Sequence, residues 1–254
     1  MGYRQTVRVY LKYNQKNTMS DSESAAAKLQ AITGRIEAAA KQSGRPADSI
    51  KLIGAAKQQA SNSVATYCAA GLGDIGHNYL QEAAQMRAAL ADLDPQPCWH
   101  FIGAIQSNKT KEIAANFDWV HSVDRLKIAR RLSEQRQVLR LPKLNILLQV
   151  NVDSEPTKAG IVSEEVIEIA RGCADLDGIE LRGLMALPKA RQELEQQREP
   201  FNRLRELMLK CNSEIGTAMD SLSMGMSNDL EAAVLEGSTM VRIGTALFGA
   251  RPQK

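Results

Sequence analysis

The sequence lacks several features that would assign it to a specialised protein class. It contains no run of roughly 18 apolar residues, the length a transmembrane helix needs, so no membrane span is expected. Its four cysteines form no Cys-x-x-Cys pair, and no metal-ligand spacing occurs around its histidines. The formal net charge is only +3, which gives no reason to expect a nucleic-acid partner. We therefore expect a metal-free globular protein with reduced cysteines, typical of the cytoplasm.

Acidic residues are missing from the first nineteen positions, which carry Arg4, Arg8, Lys12 and Lys16. A targeting peptide or an anion-binding arm would fit such a segment, although it lacks the apolar core of a secretory signal. We interpret residues 1 to 19 as a loose basic N-terminal extension and residues 20 to 254 as one folded domain.

From Ser20 onward, helical patterns alternate with short apolar runs of strand length. The apolar runs predict eight strands, at Lys51–Lys57, Asp74–Asn78, Trp99–Ala104, Trp119–Asp124, Leu144–Val152, Leu181–Leu187, Ser221–Met226 and Met240–Phe248. Helices are predicted near 20–41, 62–71, 80–92, 107–116, 125–138, 163–175, 200–214 and 228–236. Strands that are apolar throughout indicate a parallel sheet buried on both faces.

Eight such units in about 230 residues match a single (β/α)₈ TIM-type barrel, an α/β fold. An open doubly wound sheet is the competing fold, but it usually has fewer strands and a glycine-rich phosphate turn after the first strand. Here the first strand ends in Lys57-Gln58-Gln59, which is no such turn. The sequence therefore favours the barrel.

Polar residues at the ends of the predicted strands indicate the kind of site such a barrel would hold. Lys57 ends an otherwise apolar strand, where a lysine is suited to act as a nucleophilic amine. Ser223 to Ser227 and Arg242 to Thr245 end the last two strands with hydroxyls and glycines, in the usual phosphate position of these barrels. A Schiff-base lysine with a phosphate site implies pyridoxal 5′-phosphate (PLP). A Schiff-base aldolase acting on a phosphosugar fits these residues equally well.

Seven motifs, from separate strands and in the expected order, resemble those of the PLP homeostasis protein family. They are Lys57 in its strand, GHNYLQE from Gly76, WHFIGAIQSNK from Trp99, HSVD from His121, RGLMA from Arg182, SMGMS from Ser223 and VRIGTALFGAR from Val241. This family is similar to the N-terminal barrel of alanine racemase and belongs to the fold-type III PLP proteins. The resemblance implies a barrel without the C-terminal β domain of alanine racemase.

The resemblance also implies roles for individual residues. Lys57 would hold PLP as a Schiff base, and Arg242 would face the pyridine nitrogen. The phosphate would contact Ser223, Ser227, Gly244 and Thr245, and the ring would be lined by Asn78 and Met185. Because a guanidinium does not give up its proton, Arg242 would discourage protonation of the ring nitrogen and weaken the ring as an electron sink.

A PLP carrier with little or no catalytic turnover is therefore the leading interpretation. It would buffer the cofactor or deliver it, and apo forms of PLP-dependent enzymes are the candidate recipients. We expect the protein to be a monomer. A PLP-dependent amino-acid racemase is the alternative, but racemisation needs a proton donor on each face of the substrate carbon. None of the five tyrosines lies in a C-terminal extension that could supply the second one.

Two positions depart from the usual family pattern. The family's Ser-Lys-Thr-Lys-Pro is Ala56-Lys57-Gln58-Gln59-Ala60 here, so Gln59 stands in place of a second basic residue. The family's Gly-Glu-Asn is Gly76-His77-Asn78, which replaces an acid with a group that ordinarily titrates near neutrality. We expect PLP binding to be kept and the transfer of the cofactor to differ.

Overall fold

The structure, a computed structural model, describes the backbone of residues 3–155 and 157–249 and the side chains from Asp21 onward. Residues 1, 2 and 250 to 254, at the two ends of the predicted units, lie outside it. Eight parallel strands close into a barrel in which each strand pairs with its neighbours in sequence, and β1 closes the ring by pairing with β8. The strands are β1 (Lys51–Ala55), β2 (Asp74–His77), β3 (Cys98–Phe101), β4 (Trp119–Val123), β5 (Leu144–Val150), β6 (Ile179–Ala186), β7 (Ser221–Ser223) and β8 (Met240–Ile243). The predicted (β/α)₈ barrel is confirmed.

Nine α-helices are described, and those that follow the strands surround the barrel. They are α1 (Tyr3–Gln42), α2 (Ser61–Ala69), α3 (Leu80–Ala89), α4 (Thr110–Asn116), α5 (Leu126–Val138), α6 (Val166–Ala174), α7 (Leu194–Ile215), α8 (Leu230–Leu235) and α9 (Thr245–Phe248). In α5 the buried positions Ile128, Ala129, Leu132 and Arg136 recur at helical spacing, so one face packs on the sheet and the other meets solvent. No helix in the described part of the chain combines the length and the apolar character that crossing a membrane requires.

Apolar side chains fill two separate regions. The larger region lies between the strands and the helices, and includes Ile75, Val120 and Leu148. A smaller cluster fills the barrel interior, formed by Ile53, Trp119, Leu147, Met185 and Met240. Since side chains alternate across a strand, Ile53, Ala55 and then Lys57 point the same way along the first strand and its continuation. The alternation directs Lys57 toward the mouth of the barrel.

The last two strands are shorter than predicted, because a glycine ends each of them. Gly225 adopts a φ of +95°, which stops the extended run after Ser223. Gly244 has φ −108° and ψ −83°, so β8 ends at Ile243 and the predicted strand to Phe248 becomes the short helix α9. These early ends leave loop backbone at the barrel mouth.

Two helices begin earlier than predicted. Helix α7 begins at Leu194. The sequence predicted a start at Pro200, because proline is favoured in the first turn of a helix. Helix α1 begins at Tyr3 and runs without interruption, because no glycine or proline lies between Tyr3 and Gly34. Residues 3 to 19 are therefore helical, where a loose segment was predicted. Their role as a separate extension stays a prediction.

Candidate functional site

The candidate site is a cavity of about 630 Å³ at the C-terminal ends of the strands, the catalytic face of this fold. It brings together seven of the eight predicted site residues, namely Lys57, Asn78, Met185, Ser227, Arg242, Gly244 and Thr245. They come from segments that span most of the chain, so closure of the barrel assembles the site.

Lys57 enters the cavity from the turn that follows β1. The next residue, Gln58, has a φ of +59°, a conformation that non-glycine residues seldom adopt and that costs about 1 kcal/mol. The backbone N–H of Gln58 donates to Glu82 Oε2 at 3.1 Å, which stabilises this turn. Lys57 Nζ lies 5.0 Å from the centre of the Tyr79 ring, within the range of a cation–π contact. The turn therefore presents the lysine amine toward the cavity beside an aromatic face.

Arg242 lies at the cavity wall, and only 5% of its surface is exposed. Its Nη1 donates to Ser223 Oγ at 2.6 Å and its Nη2 donates to the Ala186 carbonyl at 2.9 Å. Burial lowers the pKa of Arg242 to about 10, partly offset by the negative charge of Asp229. The guanidinium is therefore a fixed cation at neutral pH, with its orientation set by two hydrogen bonds.

Asn78 reaches the cavity because a glycine lies against it. A Cβ on Gly103 would lie 2.0 Å from the Asn78 carbonyl oxygen, so only glycine fits there without displacing the backbone. Asn78 Nδ2 also donates to the Ile102 carbonyl at 3.4 Å. Met185, 1% exposed, packs in the barrel interior directly below. Asn78 and Met185 thus form a polar edge and an apolar floor.

The loop that carries Ser227 is held by the N-terminal helix. Arg35 in α1 donates to the Ser227 carbonyl at 3.0 Å and to Glu231 Oε1 and Oε2 at 2.6 and 2.8 Å. A bidentate arginine–carboxylate pair of this kind holds the two side chains in one relative orientation and also adds binding energy. Sequence reasoning missed this support, because Arg35 lies 196 residues before Glu231.

A second arginine in the cavity wall was also missed. Arg191, in the loop after β6, lines the cavity and donates to Asp153 Oδ1 at 2.7 Å. Asp153 also accepts from the Lys189 backbone N–H and from Arg203, and these contacts hold the pKa of its carboxyl below the usual range despite its burial. The loop after β6 is therefore anchored to the loop after β5. A basic residue just beyond a predicted strand end was the available signal.

Ser223 is the predicted residue that does not line the cavity. Its side chain is wholly buried in the barrel interior, where Oγ accepts from Arg242 and contacts His121 Nδ1 at 2.8 Å. β7 ends at Ser223 with this side chain turned inward, toward Arg242, and its contact with a phosphate stays a prediction.

His77, one of the two departures from the family pattern, is fully buried. Neither ring nitrogen has a hydrogen-bond partner among the described residues, and the ring stacks on Trp99 with 6.1 Å between centres. Burial lowers the pKa of His77 to about 4, so the ring is neutral at pH 7. The expectation of a group that titrates near neutrality is wrong, since a buried imidazole without a partner resists protonation. Gln59, the other departure, lines the same cavity as Lys57.

Three potential metal ligands meet at the opposite end of the barrel. Donor atoms of Asp74, Cys98 and His100 lie within 4.8 Å of one another, a proximity that no sequence spacing signalled. Burial, with Asp74 and Asp118 nearby, raises the pKa of the Cys98 thiol to about 12. The Asp74 carboxylate contacts His100 and has Lys51 Nζ at 3.9 Å.

The cavity has the charge pattern of an anion-binding site. Among its described lining residues, Lys57, Arg191 and Arg242 are basic and Asp229 alone is acidic, with Asp229 Oδ1 accepting from the Met226 backbone N–H. Hydroxyls of Ser227 and Thr245 and the backbone of Gly244 surround the same space. A small anion that carries an electrophilic carbonyl could react with the Lys57 amine at its carbonyl and be bound through its negative charge by Arg191 and Arg242.

Comparison with known proteins gives concordant matches over most of the chain. The family model for the alanine racemase N-terminal domain matches residues 27–252. The pyridoxal phosphate homeostasis protein of Pseudomonas aeruginosa is 52% identical over 220 residues, covering 87% of this chain and 93% of that protein. Its namesake in Escherichia coli is 41% identical over 224 residues, covering 88% and 95%. The structure of PipY from Synechococcus elongatus with PLP bound superimposes with a TM-score of 0.78 at 31% identity, covering 89% of this chain and 100% of that one.

Proposed function

Because this chain belongs to the pyridoxal phosphate homeostasis protein family, we propose that it binds PLP and takes part in intracellular homeostasis of this cofactor. It would buffer PLP or deliver it to other proteins, with little or no catalytic turnover. The observation that carries the proposal is the single cavity in which Lys57 and Arg242 meet with a surplus of positive charge.

The residues around the cavity fit PLP in chemistry and in size. When bound, PLP supplies an aldehyde that condenses with an amine, a phosphate with two negative charges and a flat pyridine ring. Lys57 offers the amine, and we assign it the covalent attachment as a Schiff base. Ser227, Gly244 and Thr245 would bind the phosphate through hydroxyl and backbone N–H groups, while Arg191 adds positive charge. A volume of about 630 Å³ lies within the usual range for cofactor sites.

Arg242 supports a carrier rather than an efficient enzyme. A guanidinium facing the ring nitrogen can only donate a hydrogen bond, and its positive charge opposes a second positive charge on the ring, so the nitrogen would stay unprotonated and the ring would be a weak electron sink. Asn78 and Met185 would limit movement of the ring without offering a second acid or base. Slow amino-acid racemisation remains the alternative activity, and a phosphosugar aldolase is the alternative outside PLP chemistry.

The proposal is tested by the colour and chemistry of the purified protein. We expect a yellow protein, bleached by borohydride, in which mass spectrometry finds reduced phosphopyridoxyl on the peptide that contains Lys57. Lys57→Ala should abolish the adduct. Lys143→Ala, which removes an exposed lysine paired with Glu180, should leave it unchanged. An adduct that persists at another lysine refutes the attachment site, and a colourless protein that PLP cannot reconstitute favours the aldolase.

Delivery and location extend the same proposal. We infer a cytoplasmic monomer, supported by the four free cysteines, which suit a reducing compartment.

If the protein delivers cofactor, the PLP-loaded protein should activate an apo PLP-dependent enzyme faster than an equal amount of free PLP does when an agent that traps free PLP is present. Equal rates would support buffering alone.

A further inference from the structure

A continuous chain of hydrogen bonds crosses the barrel interior and ends at Arg242. Asp74 Oδ1 contacts His100 Nε2 at 2.9 Å, and His100 Nδ1 contacts His121 Nε2 at 2.9 Å. His121 Nδ1 then contacts Ser223 Oγ at 2.8 Å, and Ser223 Oγ accepts from Arg242 Nη1 at 2.6 Å. The five residues come from five strands, β2, β3, β4, β7 and β8.

The chain runs from one end of the barrel to the other. Asp74 is the first residue of β2, at the N-terminal end, whereas Ser223 is the last residue of β7, beside the cavity. The three middle members are fully buried, and the side chain of Asp74 is 17% exposed. Trp119 stacks on the His100 ring with 5.9 Å between centres, which restricts the ring to one orientation. The cavity is therefore linked to the opposite face through groups shielded from water.

The chemistry of its two ends fixes the direction of the chain. Arginine can only donate and an ionised carboxylate can only accept. The Ser223 hydroxyl therefore donates to His121 Nδ1, His121 Nε2–H donates to His100 Nδ1, and His100 Nε2–H donates to Asp74. The wholly buried His121 ring needs only one proton, on Nε2, to make both of these contacts.

The opposite direction leaves a hydrogen unpartnered. If His121 Nδ1–H donated to Ser223, the Ser223 oxygen would accept twice, and its own proton would have no acceptor among the described residues. His100 would then also carry two protons and a positive charge. An unpaired buried donor costs about 1–3 kcal/mol, so the direction that pairs every donor is favoured.

We propose that Ser223, His121, His100 and Asp74 are positioning residues that fix Arg242 and couple the cofactor cavity electrostatically to the opposite end of the barrel. Two N–H groups of Arg242 are used by Ser223 and Ala186, so its remaining donors are held toward the cavity. Hydrogen bonds in such a series polarise one another, and the Asp74 charge therefore acts on Arg242 through the two rings. The effect on bound cofactor rests on the proposed PLP function, whereas the chain itself does not.

The test begins without cofactor. The sequence has three histidines, so protein labelled with ¹⁵N-histidine gives nitrogen signals from His77, His100 and His121 alone. We expect both rings of the chain to be neutral with the proton on Nε2. Ser223→Ala should shift the signals of His121 and also those of His100, and leave His77 unchanged. Ser221→Ala is the matched control: it makes the same change two residues earlier in β7, where Oγ donates to Asp220.

The second readout is PLP binding followed by absorbance. Ser223→Ala should weaken binding roughly tenfold and shift the absorbance band of the bound cofactor, since a charge-assisted contact of Arg242 is lost. Asp74→Asn keeps an acceptor for His100 and removes only the charge, so it should give the band shift with a smaller loss of affinity. Ser221→Ala should do neither.

A doubly protonated His100 in the wild-type protein would overturn the proposal, as would a Ser223→Ala spectrum in which His100 does not move. Unchanged affinity and absorbance in Ser223→Ala would overturn the role in fixing Arg242. Wild-type protein that binds no PLP would refute the proposed function while the histidine signals still decided the existence of the chain.

Discussion

Replacement of His77 by leucine should flatten the acid side of the stability profile. The folded protein holds the pKa of His77 near 4 because the ring is buried without a partner, while the unfolded chain has the ordinary value of 6.5. As the pH falls through this window, the unfolded chain takes up a proton that the folded protein refuses. Folding stability contributed by the neutral ring is therefore complete above about pH 6.5 and is lost progressively toward pH 4.

The magnitude follows from the width of that window. Each pH unit between 6.5 and 4 lowers the free energy of unfolding by about 1.4 kcal/mol, so the loss over the whole range is roughly 3 kcal/mol. Near pH 7 the His77→Leu variant should differ little from wild type, since it loses a stacking contact with Trp99 and also removes two unpartnered nitrogens. Between pH 7 and about pH 4.5, the free energy of unfolding of the variant should therefore rise by about 2 kcal/mol relative to that of the wild type.

Urea unfolding at the two pH values measures this difference directly. Titration of other groups, including His121, occurs in both proteins and cancels in the comparison. An NMR titration of the His77 ring provides the control, because its signals should stay those of a neutral imidazole down to about pH 4. If wild type and variant lose the same free energy between the two pH values, the ring is not the buried, unpaired group described above.

Two glycine substitutions should act in opposite directions. Gly103→Ala would place a Cβ 2.0 Å from the Asn78 carbonyl, so we expect a loss of about 1–3 kcal/mol, a lower Tm by thermal unfolding and weaker PLP binding as Asn78 is displaced. Gly34→Ala, in helix α1 with no atom within 4 Å of the new Cβ, should instead stabilise the protein by up to about 1 kcal/mol with PLP binding unchanged. A neutral Gly103→Ala would contradict the close approach that holds Asn78 in the cavity.

The barrel was predictable because its signals are local. An apolar run such as Leu144–Val150 has the length and composition of a buried strand, and eight such runs alternating with helices leave few alternatives to a closed barrel. The strand ends were less predictable. Gly225 and Gly244 end β7 and β8, yet the sequence alone does not reveal which glycine takes up a strand-breaking conformation.

The site was predictable in its cavity-facing members, since the ends of parallel strands meet on one face of the barrel. Lys57 and Arg242 were found in this way. Arg35 was not, because its partner Glu231 lies on a helix near the other end of the chain. Ser223 was named from the sequence, but its contacts with Arg242 and His121 were not foreseen, because the direction of its side chain depends on where β7 ends.

The sequence by itself determined the alternation of strands and helices, the barrel, and the lysine at the end of the first strand. These depend on residue patterns within short segments. Only the tertiary structure decided that His77 stays neutral and that His100 and His121 link Asp74 to Arg242. Burial and hydrogen-bond partners set both outcomes, and contacts such as that between His121 and Ser223, which lie 102 residues apart, exist only once the barrel is closed.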